Sequence, residues 1–354
     1  MEKRVLGIMV HQVNDPHRFH PLASIALEEG FSTVIVYTPK EVNLTDQFIF
    51  GYIYEYGRWI KHTRPFPSIN HDIGYYPDLE TLNLVKKIKN HPHLPFLGYG
   101  LGNKWTIQQH LLRSRQLSPY LLPTAAALNL SSIIPMLKKH QTVMLKPLNG
   151  KGGTGIIKLS IKNQGYSLEE NNKEARYVSE QELHRILSEL IRTERYLVQK
   201  WIDIRDHKGS VYDIRVLMQK NGLGKWVLTG MGVRQGNQEK ITSNLTGGGQ
   251  AFPVYPYLKE QFTEPLAKIL NKKIEQIAYL IPRYLEKAYR KRLVELGLDI
   301  AVDRKAKIWI IEVNIKPGRT LWRKISDWEA DRTSLRNPIQ YAKYLLDRME
   351  KGAP

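Results

Sequence analysis

The chain has 354 residues, of which 42% are hydrophobic, enough for a sizeable core and two or three domains. It contains no cysteine, which excludes disulfides, zinc–thiolate sites and a cysteine nucleophile. Its formal net charge of +19 favours acidic partners such as nucleotides or nucleic acid, although a generally basic surface without a specific partner would have the same charge.

The first 97 residues alternate between short apolar runs and helical patterns, which predicts an α/β domain over residues 1–97. The predicted strands cover Arg4–Val10, Phe31–Tyr37 and Phe48–Tyr54, and the predicted helices cover Leu22–Glu29 and Asp78–Lys89. The N-terminal segment has no secretory h-region or cleavage site and is interpreted as a first strand. No apolar run approaches the roughly 18 residues that span a bilayer, so we expect a cytoplasmic protein without a membrane partner.

The histidines of this domain show no recognisable metal-ligand spacing. Five of them, His11, His17, His20, His62 and His71, are therefore expected to be ordinary surface or turn residues. The segment His91–Pro95 contains two prolines and marks the expected boundary of the domain.

The rest of the chain is expected to divide near residue 193. Residues 98–192 predict a smaller subdomain, in which a helix at Asn103–Arg113 precedes strands, helices and a glycine-rich loop. The polar segment Asn163–Arg176 is either a hairpin or a mobile excursion. Residues 193–354 predict a larger subdomain, with strands at Tyr196–Gln199, Val211–Gln219 and Trp226–Arg234, helices over 260–293 and a hairpin at 297–314.

The hairpin carries the strongest chemical signal. Two apolar runs flank a charged turn at Asp303–Lys307, and Glu312 and Asn314 share one face of the second strand. Folding back about the turn places Asp299 nearly opposite Glu312, so that two carboxylates and an amide oxygen converge. Hard oxygen ligands of this kind suit Mg²⁺, which leaves its other positions to water and substrate phosphates. The hairpin therefore predicts a magnesium site and a nucleotide ligand.

A glycine-rich loop follows the apolar strand that ends near Lys146. Glycines let backbone N–H groups approach phosphate oxygens closely, and Lys146 would add a point charge. The loop residues expected to contact phosphate are Asn149, Gly150, Lys151, Gly152 and Gly153. Glycines at positions 150, 152 and 155 match the spacing of a dinucleotide fingerprint, but residues 156–161 alternate like a strand where that fingerprint requires a helix. A hairpin that covers phosphates is preferred, and a flexible hairpin tip without a ligand is the alternative.

Polar residues recur on the strands after residue 193. Gln199 and the backbone beside it would hydrogen-bond an adenine edge, although such a segment is usually a plain core strand. Asp213 and Arg215 share a strand face, where the arginine would either stabilise charge in phosphoryl transfer or form a structural ion pair. Arg234 follows, and Asn244 offers an amide before the glycine cluster at 247–249.

In chain order these pieces resemble the ATP-grasp superfamily of carboxylate–amine ligases over residues 99–320. The ordered set is Lys104 on a helix, Lys146 with its loop, Gln199, Asp213-x-Arg215, Arg234, Asn244, Asp299, and Glu312-x-Asn314 followed by Lys-Pro-Gly. The C-terminal motif is most similar to the RimK-like and glutathione-synthetase-like branches. The N-terminal unit, with Trp59 and Pro65-Phe66-Pro67, resembles the YheC/YheD group, whose members are described as endospore-coat-associated.

The resemblance implies an α/β fold that becomes α+β in its C-terminal part. An N-terminal α/β pre-grasp domain would precede a two-subdomain ATP-grasp fold, whose glycine-rich loop closes over ATP. The residues implied to bind ATP, besides that loop, are Lys104 and Lys146 at the phosphates, Gln199, Lys200 and Ile202 at the adenine, and Asp213.

The same resemblance implies roles for the remaining candidates. Asp299, Glu312 and Asn314 would hold Mg²⁺, with two ions as the expected arrangement. Arg215, Arg234 and Asn244 would lie near the transferred phosphate or the acceptor carboxylate. The implied chemistry activates a carboxylate as an acylphosphate, which an amine then attacks, with an unidentified amino acid or peptide as substrate.

The chain departs from the family pattern at two places. Gly247 stands where relatives commonly have an arginine, which changes the electrostatics on the acceptor side. The stretch Pro67–Asp72 also differs from the usual pattern of the group, so the N-terminal domain is expected to recognise something different. The alternative to a ligase is a nucleotide-binding protein without turnover that associates with spore-coat components. A nucleic-acid binder is supported only by charge, since no helix-turn-helix, zinc-finger or RNA-binding signature is present.

Overall fold

The computed structural model describes residues 4–148, 154–171, 173–236 and 248–352. Within these residues the secondary structure is organised around three β-sheets, which follow one another along the chain. Helices cover at least one face of each sheet, and the chain therefore has the mixed α/β architecture that the sequence predicts. None of the described helices combines the length and the apolar character needed to cross a membrane.

The first sheet is built from the N-terminal residues. Its elements are β1 (Val5–Met9), α1 (His20–Glu28), β2 (Thr33–Tyr37), β3 (Val42–Asn43), β4 (Phe48–Glu55), β5 (Arg58–Pro65), β6 (Ile69–Asp72) and α2 (Leu79–Lys89). β1 and β2 are parallel and α1 connects them, so the predicted βαβ start is confirmed. β6 also runs parallel to β1, which brings the end of β6 to the same edge as the ends of β1 and β2. β5 and β6 did not stand out in the sequence, because β5 is largely exposed and β6 is short.

The second sheet follows a helix that begins at an asparagine cap. Its elements are α3 (Lys104–Leu112), β7 (Thr124–Ala127), α4 (Leu130–His140), β8 (Thr142–Pro147), β9 (Ile157–Lys162), β10 (Gly165–Glu170), β11 (Arg176–Val178), α5 (Glu180–Thr193) and β12 (Tyr196–Lys200). The strands are antiparallel in the order β11-β10-β9-β8-β12-β7, and α4 and α5 cover one face. β10 and β11 form a hairpin, which confirms that alternative for the polar segment after Asn163.

The third sheet is antiparallel and has the order β15-β14-β13-β16-β17. Its elements are β13 (Tyr212–Lys220), β14 (Trp226–Gln235), β15 (Gln250–Pro253), α6 (Val254–Gln261), α7 (Glu264–Tyr289), β16 (Glu295–Val302), β17 (Ile308–Asn314), α8 (Thr320–Lys324) and α9 (Trp328–Glu350). The long helix α7 buries its apolar stripe against the sheet, and together they form the largest apolar cluster described. The other face of the sheet carries polar side chains and is partly covered by α8 and the first part of α9.

The last helix, α9, leaves the third sheet and packs on the first. Ile339, Ala342 and Leu346 join an apolar cluster with α1, β1 and β2. The N-terminal sheet is therefore covered on one face by the C-terminal end of the chain. This docking places β6 beside the N-terminal end of β16 and the C-terminal end of β17, where His71 lies 4.0 Å from Glu295 and Asp72 pairs with Lys316.

Candidate active site

One face of the third sheet carries a row of charged side chains. The antiparallel register places Arg215 opposite Asp299 on the neighbouring strand and Asp299 opposite Glu312 on the next. Residues directly opposite each other in an antiparallel pair point to the same face of the sheet. The prediction that Asp299 lies opposite Glu312 is therefore confirmed.

These side chains form a tight ion-pair network. Arg215 donates through Nε to Oδ1 of Asp299 at 2.6 Å, and Arg234 donates through Nε and a terminal nitrogen to both oxygens of Asp213 at 2.7 and 2.6 Å. Arg234 also lies 3.0 Å from Oδ2 of Asp299. The structural ion pair proposed for the Asp213–Arg215 strand is therefore present, and each arginine is held in a fixed position.

The charges of this network follow from burial and pairing. Asp299 is only 5% exposed, and burial by itself would raise its pKa. The guanidinium groups of Arg215 and Arg234 outweigh burial and hold the pKa of Asp299 at about 2, so the carboxylate is charged at neutral pH. Burial also disfavours the charged form of Arg234 and by itself would lower its pKa. Asp213 and Asp299 outweigh burial and raise the pKa of Arg234 above its ordinary value.

A second group of polar side chains faces this row from the second sheet and α3. Lys146 donates to the side-chain oxygen of Gln199 at 2.6 Å, and Gln199 donates in turn to the hydroxyl of Thr124 at 3.0 Å. Lys104, in the first turn of α3, lies 3.1 Å from Glu312. Burial lowers the pKa of Lys146 to about 8, with Lys104 acting in the same direction and Glu312 against it.

The two groups line one cleft of about 1350 Å³. The predicted site residues that line it are Lys104, Lys146, Gln199, Lys200, Ile202, Asp213, Arg215, Arg234, Asp299, Glu312 and Asn314. Residues from positions 104 to 314 are thus brought to one place, although they come from two sheets and one helix. The volume exceeds the range of about 300–1,000 Å³ of typical small-molecule sites, so the cleft is large enough for a nucleotide and a second substrate.

Six predicted residues fall outside the described part of the chain, and they are Asn149, Gly150, Lys151, Gly152, Gly153 and Asn244. The strands that flank the loop are described: β8 and β9 are antiparallel, with Leu145 opposite Ile157. A strand follows the glycines, so the loop does not have the helix that a dinucleotide fingerprint requires.

The proposed metal ligands lie together, but each carboxylate also has a cationic partner. The amide nitrogen of Asn314 is 3.4 Å from Oδ2 of Asp299, while Asp299 accepts from two arginines and Glu312 pairs with Lys104. No group of three histidine, cysteine or acidic side chains within the described residues is arranged to hold a metal ion. Two carboxylates and an amide oxygen fit an ion that completes its coordination with phosphate and water, as Mg²⁺ commonly does.

The far end of the cleft contains a cluster that the sequence did not indicate. Asp72, at the end of β6, accepts from Lys89 of α2 at 3.1 Å and from Lys316 at 2.7 Å. Tyr76 donates to the same carboxylate at 2.9 Å. Burial opposes ionisation of Asp72, but the two lysines lower its pKa below the ordinary value. Lys316 lies two residues beyond the predicted ligand Asn314, but no pattern in the sequence links it to position 72.

One histidine prediction is wrong. His71 is 4% exposed, not a surface or turn residue, because α9 packs on β6 and Glu295 of β16 lies beside the ring. Burial lowers the pKa of His71 to about 4, so its ring is neutral at physiological pH. Its Nε2 lies 4.0 Å from Glu295, beyond hydrogen-bonding distance.

The structure has an ATP-grasp fold. Over 98% of this chain and 99% of the other, the structure is similar to D-alanyl-alanine synthetase A from Vibrio cholerae, with a TM-score of 0.59 and 12% identity. That likeness shows the fold.

The family follows from the sequence. The model of the YheC/D-like ATP-grasp family matches residues 93–345, and the chain therefore belongs to this family. Over 76% of this chain and 74% of its relative it is 29% identical to the endospore coat-associated protein YheC of Bacillus subtilis. It is 24% identical to YheD of the same organism, over 91% of this chain and 72% of that protein.

Proposed function

We propose that the protein is an ATP-dependent carboxylate–amine ligase that acts on an amino acid or peptide. The observation that carries the proposal is that Lys104 and Lys146 face Arg215, Asp299 and Glu312 across a single cleft. Residues 1–97 would form the domain that recognises the acceptor, residues 98–192 the lid over ATP, and residues 193–354 the metal-bearing subdomain. The names of the two Bacillus subtilis relatives motivate a role in endospore formation, in the cytoplasm or at the coat.

The chemistry assigns a role to each side of the cleft. Lys146 and Lys104 neutralise the phosphates of ATP, while Gln199, Lys200 and Ile202 line the adenine end. A substrate carboxylate attacks the terminal phosphorus, ADP leaves, and an amine then attacks the acylphosphate and releases phosphate. Arg215 and Arg234, fixed by their carboxylate partners, stabilise the charge on the transferred phosphoryl group. Mg²⁺ held by Asp299, Glu312 and Asn314 would supply further neutralisation of the phosphates.

A second candidate function is supported by the pairing of Asp299. Both of its oxygens accept from arginines, so a metal ion would have to share this carboxylate with two cations. A protein that binds nucleotide without turnover, as a component that associates with spore-coat proteins, would tolerate that arrangement. An assay of ADP release with amino acids, short peptides and cell-wall fragments distinguishes the two, since sustained release with any acceptor excludes the binding-only function.

Nucleotide binding itself is tested by thermal stabilisation. ATP with Mg²⁺ at 100 times its dissociation constant should add about 2.7 kcal/mol to the free energy of unfolding. Glu312→Ala should abolish the metal-dependent part of that stabilisation and keep the fold. Glu260→Ala, which removes an exposed carboxylate outside the cleft, is the matched control and should behave as the unmodified chain. No stabilisation at millimolar ATP in a folded sample would contradict both candidate functions.

A further inference from the structure

The two carboxylates assigned to the metal ion have different surroundings. Asp299 is 5% exposed and is paired with both Arg215 and Arg234. The side chain of Glu312 is 26% exposed, and it lies 3.1 Å from the ammonium group of Lys104. No second salt bridge reaches Glu312 from the described residues. The cationic partner of Glu312 can therefore be exchanged more easily than those of Asp299.

The arginine partners of Asp299 are fixed in place. Arg234 is 7% exposed and donates to both oxygens of Asp213. Arg215 donates to both oxygens of Asp299, at 2.6 and 3.2 Å. A planar guanidinium group in a bidentate pair has few alternative positions. We therefore expect both arginines to stay with their carboxylates when a ligand enters the cleft.

Lys104 stands at an unfavourable position for a cation. It is the first residue of α3, whose start is set by Asn103, since the side chain of Asn103 accepts from the backbone N–H of Thr106 at 3.0 Å. The positive end of a helix dipole favours an anion there, and the first turn of α3 has no acidic residue to compensate. The Lys104 side chain is 31% exposed, and an ion pair this accessible contributes little to stability. Stability alone is therefore a weak reason for a lysine at this position.

The charged side chains around the two carboxylates carry an excess of positive charge. The group has four cations and three carboxylates, and its members are Lys104, Lys146, Arg215, Arg234, Asp213, Asp299 and Glu312. A divalent cation that enters without a ligand meets a region of its own sign, whereas the phosphates of a nucleotide reverse that sign. Metal binding is therefore unfavourable before a nucleotide enters and favourable afterwards.

We propose that Lys104 keeps Glu312 from binding a divalent cation until the phosphates of a nucleotide take its ammonium group. Lys104 pairs with Glu312 in the unliganded cleft and with a phosphate oxygen in the liganded one, which frees Glu312 for the cation. The flexible stem of a lysine permits this exchange. Nucleotide and metal ion then bind with positive coupling, and each raises the affinity for the other by the same factor. The inference rests on the proposed function, because it requires a cleft that binds phosphates.

The first test measures Mn²⁺ binding without nucleotide, by electron paramagnetic resonance of the free ion. Mn²⁺ accepts the same oxygen ligands as Mg²⁺. The unmodified protein should bind Mn²⁺ weakly, and Lys104→Met should bind it at least about tenfold tighter, because a positive charge beside Glu312 is removed. Lys61→Met is the matched control, since Lys61 pairs with Glu41 at 2.8 Å outside the cleft and has a similar exposure. It should leave Mn²⁺ binding unchanged.

Three results of this comparison would overturn the proposal. They are equal Mn²⁺ affinities of the unmodified protein and Lys104→Met, an equal gain of affinity in Lys61→Met, and no binding of millimolar Mn²⁺ by Lys104→Met. The melting temperature of each variant identifies any loss of fold, and if Lys104→Met does not fold, a second variant decides.

The second test removes the carboxylate instead of the lysine. Glu312→Gln releases Lys104, so ATP in the presence of EDTA should bind this variant several-fold tighter than it binds the unmodified protein. Glu260→Gln, an exposed position outside the cleft, should leave this affinity unchanged. Unchanged or weaker metal-free binding of ATP by folded Glu312→Gln would overturn the proposal.

The two proposals fail in different ways. If neither the unmodified protein nor any variant binds ATP, the proposed function fails. The Mn²⁺ comparison contains no nucleotide, and it still decides whether Lys104 blocks the metal-binding carboxylate. If ATP binds and the Mn²⁺ affinities of Lys104→Met and the unmodified protein are equal, the proposed function stands and the role of Lys104 at Glu312 is refuted.

Discussion

Burial and pairing act in opposite directions on the charged side chains of the cleft. Asp299 is buried but has two guanidinium partners, so its pKa falls to about 2 and it stays ionised. Lys146 is hydrogen-bonded to the neutral amide of Gln199, so burial dominates and its pKa falls to about 8. A phosphate group placed beside Lys146 would supply the missing counter-charge.

We predict that the affinity for ATP falls as the pH rises through about 8, because Lys146 loses its charge in a range where an ordinary lysine, with a pKa of about 10.4, keeps it. Titration of ATP binding across this range measures the effect. Lys146→Arg should flatten the profile, since a guanidinium remains charged. An unchanged profile in Lys146→Arg would show that another group titrates.

The same pKa has the opposite consequence for stability. The folded-state pKa of Lys146 lies below the unfolded value, so the unfolded chain binds more protons between pH 8 and 10.5. The contribution of Lys146 to the free energy of unfolding therefore rises with pH in this interval. If ATP binding is lost above pH 8, the deprotonation of Lys146 has not caused that loss by unfolding the protein, because this deprotonation favours the folded state.

At the scale of elements, α9 connects the two ends of the chain. It begins beside the third sheet and buries Ile339, Ala342 and Leu346 against α1 and the first sheet. The N-terminal sheet therefore depends on residues more than 250 positions away for one of its faces, as the pairing of Arg4 with Glu350 also shows. A change in α9 is expected to act on the N-terminal sheet and, through β6, on the far end of the cleft.

Ile339→Ala should lower the free energy of unfolding by about 2–5 kcal/mol, because Ile339 is only 2% exposed and its removal leaves a cavity between α9 and the first sheet. Denaturant titration measures the loss. Lys343→Ala lies on the exposed side of the same helix and should change stability by less than about 0.5 kcal/mol. Equal effects of the two changes would mean that α9 does not stabilise this core.

For the whole molecule, the net charge of +19 has a consequence that is separate from the site. Such an excess attracts polyanions through a general electrostatic interaction, and this interaction weakens as salt restores the counterions. The described fold contains no motif that would add sequence recognition to this attraction.

Binding to duplex DNA should therefore be independent of sequence and should weaken at least about tenfold between roughly 50 and 200 mM salt. Fluorescence anisotropy with two unrelated duplexes of equal length measures both properties. One duplex bound more than tenfold tighter than the other at the higher salt concentration would favour a nucleic-acid function over the ligase proposal.

Several features could be predicted from the sequence because they depend on short-range rules. The two-residue period of a strand predicts which face each residue of β16 and β17 lies on and brings Asp299 near Glu312, whereas a register shift between Asp299 and Ile300 places the two directly opposite each other. The strand after the glycine-rich loop followed from the alternation of residues 156–161. β5 and β6 gave no such signal, since β5 lacks a buried face and β6 has only four residues.

The sequence by itself thus determined the family, the order of the polar residues and the face on which each lies along its own strand. Only the tertiary structure decided which faces oppose each other: Lys146 across from Arg215, Asp72 beside Lys316, and α9 over the first sheet. The physical reason is that local periodicity specifies which side of an element is apolar. The choice of partner for that side depends on the apolar area buried between elements distant in the chain.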